Sequence, residues 1–129
     1  MESGEDSRLA IGQQGEELVC KFLQNAGHTI LERNWRSGHL EVDIISFNAD
    51  GIHFVEVKTR RKNIQAPPQD SVRKQKQRNI VKAAQTFLRS RKGAPYGNHE
   101  CIFDVVAVTF DKDLPQIDMI PQAYIPLFV

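Results

Sequence analysis

Leu40-Glu41-Val42-Asp43-Ile44-Ile45-Ser46-Phe47 leads into Asn48-Ala49-Asp50-Gly51 and continues as Ile52-His53-Phe54-Val55-Glu56-Val57-Lys58. Two β-rich runs around a cluster of turn formers read as a hairpin. Side chains alternate faces along a strand. Asp43 therefore shares a face with Glu41, and Glu56 shares one with Phe54 and Lys58. Directly opposed residues share a face across the pair. With Ala49-Asp50 as the loop, Asn48 opposes Gly51 and Asp43 opposes Glu56. With Asp50-Gly51 as the loop, Asp43 opposes Lys58 and Ile45 opposes Glu56. Either even loop gathers Glu41, Asp43, Glu56 and Lys58 on one face. An odd loop separates them, because a one-residue slip flips the face.

Carboxylates brought together repel, and a divalent cation relieves the repulsion. Oxygen-only ligands suit a hard ion such as Mg²⁺, which keeps several waters. Such an ion activates water and stabilises charge on a phosphate oxygen. A lysine beside it orients the nucleophile or neutralises the transition state. The same charges also fit a solvated sheet face with Lys58 in a cross-strand salt bridge.

Working outward, Ile11, Leu18, Val19, Phe22, Leu23 and Ala26 recur at helical spacing over residues 8–26, and Gly27 supplies a stop. At about 100° per residue, Glu16 falls on the rim of the apolar stripe, where it can reach over a sheet edge, and Glu17 faces water. Gly12 and Gly15 allow this helix a close approach to the sheet or to a phosphate backbone. Residues 28–34 form a further short strand, and residues 61–69, with Pro67-Pro68, form a loop. Asp70 or Ser71 caps a helix that runs to Lys92. Gly93-Ala94-Pro95 breaks the chain before an apolar strand, Cys101 to Phe110. Residues 116–120 add an edge strand, and the apolar stretch Ala123 to Val129 packs back onto the core. The expected fold is mixed α/β, in the order αβββαβ(β), with a central sheet flanked by helices. A disordered tail at 1–7 precedes one domain over 8–129.

At 129 residues, 40% hydrophobic and 26% charged, the chain fits a single globular domain. Cys20 and Cys101 lie too far apart for a CxxC zinc site and read as free cytosolic thiols. The acidic start has no secretory signal, and no stretch approaches a membrane span. The four histidines form no HExxH or HxH pair, and neither GxGxxG nor a P-loop occurs. These absences point to a cytoplasmic protein without a small-molecule cofactor. The net charge of +1 speaks against a nucleic-acid binder only until its distribution is counted. Residues 58–92 hold twelve of the seventeen Lys and Arg, against one acid, Asp70. Arg60, Arg61, Arg73, Lys74, Lys76 and Arg78 form a basic surface beside the hairpin, suited to phosphate contacts that carry no sequence readout. Lys76 interrupts the apolar row of Val72, Ile80, Ala84 and Phe87. A lysine there snorkels to water or reaches a partner, either the carboxylate cluster or a phosphate. Trp35-Arg36 offers a stacking contact, although a single tryptophan also suits the core.

Asp43, followed thirteen residues later by Glu56-Val57-Lys58, resembles the signature of the PD-(D/E)xK nucleases. Gly15-Glu16-Glu17-Leu18, Asn34-Trp35-Arg36, Glu41-Val42-Asp43-Ile44-Ile45, Phe54 to Arg60, Lys76 and Phe103-Asp104-Val105-Val106 follow in one order. Together they resemble the YraN family of predicted endonucleases, relatives of archaeal Holliday junction resolvases. The chain departs from the pattern at Val42, where the proline of the signature is absent, and at Leu40, where glycine is usual. The resemblance implies a restriction-endonuclease-like fold and a catalytic set of Glu16, Asp43, Glu56 and Lys58. It makes a homodimer plausible.

Three functions follow as expectations. The first is Mg²⁺- or Mn²⁺-dependent hydrolysis of DNA, branched or flapped. Asp43, Glu56 and the Val57 carbonyl would hold the ion, with Glu16 nearby or on a second ion and Lys58 activating water. The second is a nucleic-acid-binding module of the same fold without turnover. The third is a protein-interaction domain that docks through Tyr124 to Val129.

Overall fold

A computed structural model describes residues 4–61, 70–110 and 114–120. The elements are α1 (Gly4–Asn25), β1 (Thr29–Ser37), β2 (Leu40–Asn48), β3 (Gly51–Arg61), α2 (Asp70–Arg89), a 3-10 turn (Ala94–Tyr96), β4 (Cys101–Phe110) and β5 (Gln116–Ile120). The hairpin takes the first of the two even registers, with Asn48 opposite Gly51 and Ile44 opposite Val55. Asn48 Oδ1 accepts the Asp50 N–H at 2.9 Å and closes the turn.

The sheet runs β1-β2-β3-β4-β5. Only β3 and β4 are parallel, because α2 carries the chain across between them. One helix covers each face. Val19, Cys20 and Leu23 of α1 pack on Ile44, Val55, Val106 and Val108. Ile80, Val81, Ala84 and Phe87 of α2 pack on Val42, Ile45, Phe54 and Phe103. Trp35 belongs to this second core, edge-on to Phe87 with centroids 5.4 Å apart. Its structural reading therefore holds.

α1 ends as expected at Gly27, with φ of 95°. The N–H of His28 reaches Leu23 O and that of Gly27 reaches Gln24 O, the paired bonds of a Schellman motif. Its start at Gly4 falls four residues before the expected Arg8. α2 stops at Arg89 instead of Lys92, because the Ser90 hydroxyl donates to the Phe87 carbonyl and then accepts the Gly93 N–H. The expected loop at 62–69 and the apolar stretch at 123–129 lie outside the described residues. Both cysteines are free, and no described helix is long and apolar enough to cross a membrane.

A polar chain runs through the hairpin end of the α1-side layer. Asp104 Oδ2 lies 2.7 Å from His53 Nδ1, and His53 Nε2 lies 2.8 Å from Asn48 Oδ1. Asn48 Nδ2 lies 3.3 Å from His28 Nε2, and His28 Nδ1 lies 2.9 Å from Ser46 Oγ. Burial pulls the His28 pKa down, which favours the neutral ring.

The two helix glycines separate on contact. A Cβ on Gly15 would collide with the Thr59 hydroxyl of β3, whereas one on Gly12 would meet nothing within 4 Å. Gly15→Ala should therefore cost about 1–3 kcal/mol. Gly12→Ala should gain up to ~1 kcal/mol from helix propensity. Urea denaturation of both variants checks this, and equal effects would refute the close approach of α1.

Candidate active site at a strand fork

The β2–β3 ladder ends at Ile44 and Val55, although both strands continue. Beyond that pair β2 stays with β1 and β3 stays with β4. Asp43 sits where they part, and its Oδ2 accepts the Val57 N–H at 2.8 Å. Face alternation slips here too. Ile44 packs on the α1 side, yet Val42 packs on the α2 side, where strict alternation would not place it. Asp43 consequently lines clefts on both faces. One, of about 470 Å³, is bordered by Gly12, Glu16, Asn34, Arg36, Glu41 and Thr59. The other, of about 250 Å³, is bordered by Glu41, Glu56, Val57, Lys76 and Ile80.

Glu16 reaches the first cleft from α1, which Gly15 brings close to β3. Asn34 of β1 adopts the left-handed conformation, φ 51°, which asparagine tolerates. Its side chain borders the same cleft as Glu16. Burial, then the charge of Asp43, pushes the Glu16 carboxyl above its ordinary range, and Arg33 opposes the shift. Glu17 is exposed, as expected, and pairs with Arg33 at 2.9 Å. Glu41 contacts Arg36 at 3.7 Å across the β1–β2 pair.

Glu56 is buried on the α2 side. The Lys76 ammonium lies 2.6 Å from its Oε1. That contact is an ion pair without hydrogen-bond geometry, since Oε1 is buried with no hydrogen-bond partner. Lys76 thus takes the carboxylate partner that its place in the apolar row suggested. Burial lowers the Lys76 pKa, but the contact with Glu56 and the charges of Glu56, Asp43 and Glu41 outweigh it, and the net shift is upward. Asp43 is also raised, by burial above all, with the Val57 N–H and Lys76 opposing.

The expected set is therefore brought together in part. Glu16, Glu41, Asp43, Glu56 and the Val57 backbone line the two clefts. Lys58 is exposed and lines neither. Arg60, Lys74 and Arg78 are exposed nearby, whereas the side chains of Arg61 and Arg73 lie outside the description. Asn34 was not given a site role from the sequence, although the Asn34-Trp35-Arg36 run is part of the family resemblance. Among the described residues, no three of His, Cys, Asp and Glu form a group able to hold a metal by themselves. That excludes a closed zinc-type cage there. It leaves room for a hard ion held by one or two carboxylates and water. The buried, unbonded Oε1 of Glu56 and the oxygen-only donors fit such an ion.

A carboxylate whose folded pKa lies above its unfolded value contributes stability at low pH, and loses it as pH rises through the folded value. Asp43 is such a group, so its ionised form costs stability at neutral pH. Asp43→Asn should raise the metal-free Tm at pH 7 by roughly 2–5 °C, with the gain shrinking as pH falls toward about 4. A pH series of thermal melts checks both, and a lower Tm at pH 7 would contradict the assignment.

The model of "Uncharacterised protein family UPF0102" matches residues 15–108. A UPF0102 protein of Nitratidesulfovibrio vulgaris (strain DP4) is 43% identical over 104 residues, covering 81% of this chain and 75% of its own. One from Geobacter metallireducens is 40% identical over 116 residues, covering 89% and 92%. One from Chlorobium chlorochromatii is 42% identical over 105 residues, covering 80% and 77%.

Proposed function

The chain belongs to the UPF0102 family, and from the chemistry of its strand fork we propose that it is a metal-dependent endonuclease acting on structured or branched DNA. The observation that carries this reading is Asp43 and Glu56 bordering one cleft at the point where two strands part, with the Val57 backbone between them. Asp43 and Glu56 would hold Mg²⁺ or Mn²⁺ together with the Val57 carbonyl, and Glu16 would stand on the other side of Asp43. When bound, the ion supplies Lewis-acid stabilisation of the phosphate charge and lowers the pKa of water. Water adds to phosphorus, the P–O bond to the leaving alkoxide breaks, and a proton passes to that oxygen. Lys58, exposed two residues beyond Glu56, orients the nucleophile from the open side. Arg60, Lys74 and Arg78 supply exposed positive charge for the phosphodiester backbone. The likeness to YraN nucleases over Glu16, Asp43, Glu56 and Lys58 supports the same assignment.

Cleavage of flapped and four-way-junction DNA with Mg²⁺ or Mn²⁺ tests it. Product should form with the metal, vanish with chelator, and fall by about 10²-fold or more in Glu56→Ala and Lys58→Ala. Cleavage that survives both substitutions would remove this site from consideration. Salt-sensitive DNA binding that ignores chelator, with no product under any metal, would favour the non-catalytic module.

A further inference from the structure

Two acidic groups of the α2-side cleft differ in what neutralises them. Asp43 has the Val57 N–H, whereas among the described residues the buried Oε1 of Glu56 has no partner besides Lys76. What stands against it is the Lys76 ammonium, 2.6 Å away. The pair is lopsided in mobility. The Glu56 side chain is 7% exposed and that of Lys76 is 55% exposed. The carboxylate is fixed in the sheet, and the cation hangs on a four-carbon stem whose flank is open to water. Ile80, one turn along α2, is buried and anchors the helix at the cleft wall. The ammonium also lies close enough to Asp43 and Glu41 for their charges to act on it. A single positive charge therefore occupies the cleft shared by three carboxylates, on a half-exposed side chain that has solvent to retreat into.

We propose that Lys76 is a tethered counter-cation that occupies the Glu56 site in the metal-free protein and exchanges with a divalent cation when one binds. The proposal rests on the metal-site reading above. A lone buried carboxylate is expensive, so the tether keeps the fork intact until the ion arrives. A doubly charged ion satisfies Glu56 and Asp43 together better than one ammonium does. The displaced lysine stays within a side-chain length of the cleft, where the next anion available is a substrate phosphate. Metal binding in this arrangement is weakened by an internal competitor.

The test is Mn²⁺ titration by calorimetry of the full chain as wild type, Lys76→Gln and Lys82→Gln. Lys76→Gln should bind Mn²⁺ about tenfold more tightly and melt at a lower temperature without metal. Lys82→Gln, which removes an equal charge from the exposed face of the same helix, should stay within about twofold of wild type. Lysine acylation read by mass spectrometry gives a second measurement on the wild type. Lys76 should label several-fold faster with Mn²⁺ present, relative to exposed Lys82. Mn²⁺ affinity that is unchanged or weaker in Lys76→Gln overturns the exchange while leaving the metal site standing. Should that variant not fold, wild-type labelling that ignores Mn²⁺ overturns it. Absence of Mn²⁺ binding in all three proteins rejects the metal site and the exchange with it.

Discussion

The backbone N–H of Val57 does not complete a ladder bond to β2; Asp43 takes it instead. A buried amide must find an acceptor, and here a side chain supplies it, so the two strands can part without leaving the donor bare. The rest of the site follows from that substitution. The parting opens space on both sheet faces, and it sets Asp43 in the opening between Glu16 on one side and Glu56 on the other. Without it, β2 and β3 would zip onward, and the carboxylates would stand on an ordinary pleated surface.

Charge placement completes the picture. The acids are collected at the fork, and the basic residues lie on the segment that leaves it and on the helix packed across it. Lys76 joins the two groups. Its half-exposed side chain lies against Glu56, while Lys74 and Lys82 of the same helix are exposed. A near-neutral total therefore coexists with a strongly divided surface, and the division follows the topology.

Much of this was legible in the sequence, for identifiable reasons. The sequence narrowed the hairpin to two even registers, and the structure takes the one with Ala49-Asp50 as the loop, its turn closed by the Asn48 side chain. The interruption of an apolar helical row exposed Lys76. Glu16 was found at the rim of its helix because periodicity sets angular position. What stayed hidden depends on breaks in periodicity. Strict alternation placed Asp43 squarely on the face of Glu56, whereas the slip between Val42 and Ile44 puts it between faces. The left-handed turn at Asn34 is another such break. Lys58 alternates with Glu56 along β3, yet it is exposed and borders neither cleft, which alternation alone does not reveal. Asp104 meets His53 only because β4 lies beside β3 after a long crossover, and no local pattern announces that.

The polar chain at the hairpin end carries directional information. The Asp50 N–H can only donate, so the Asn48 atom facing it is oxygen, and His53 Nε2, which faces the same oxygen, bears a proton. The asparagine nitrogen must then turn to His28, whose Nε2 accepts and whose Nδ1 donates to Ser46. The tautomers of two rings, 4.5 Å apart, are thus set by one turn amide. His53 and Asp104 are left sharing a proton between them, inside the protein. This order survives in one alignment of the strands alone. Sliding β2 by a residue would take Ser46 and Asn48 away from the two imidazoles. The hairpin is therefore keyed by proton order at one end, and that key holds Asp43 level with Glu56 at the other.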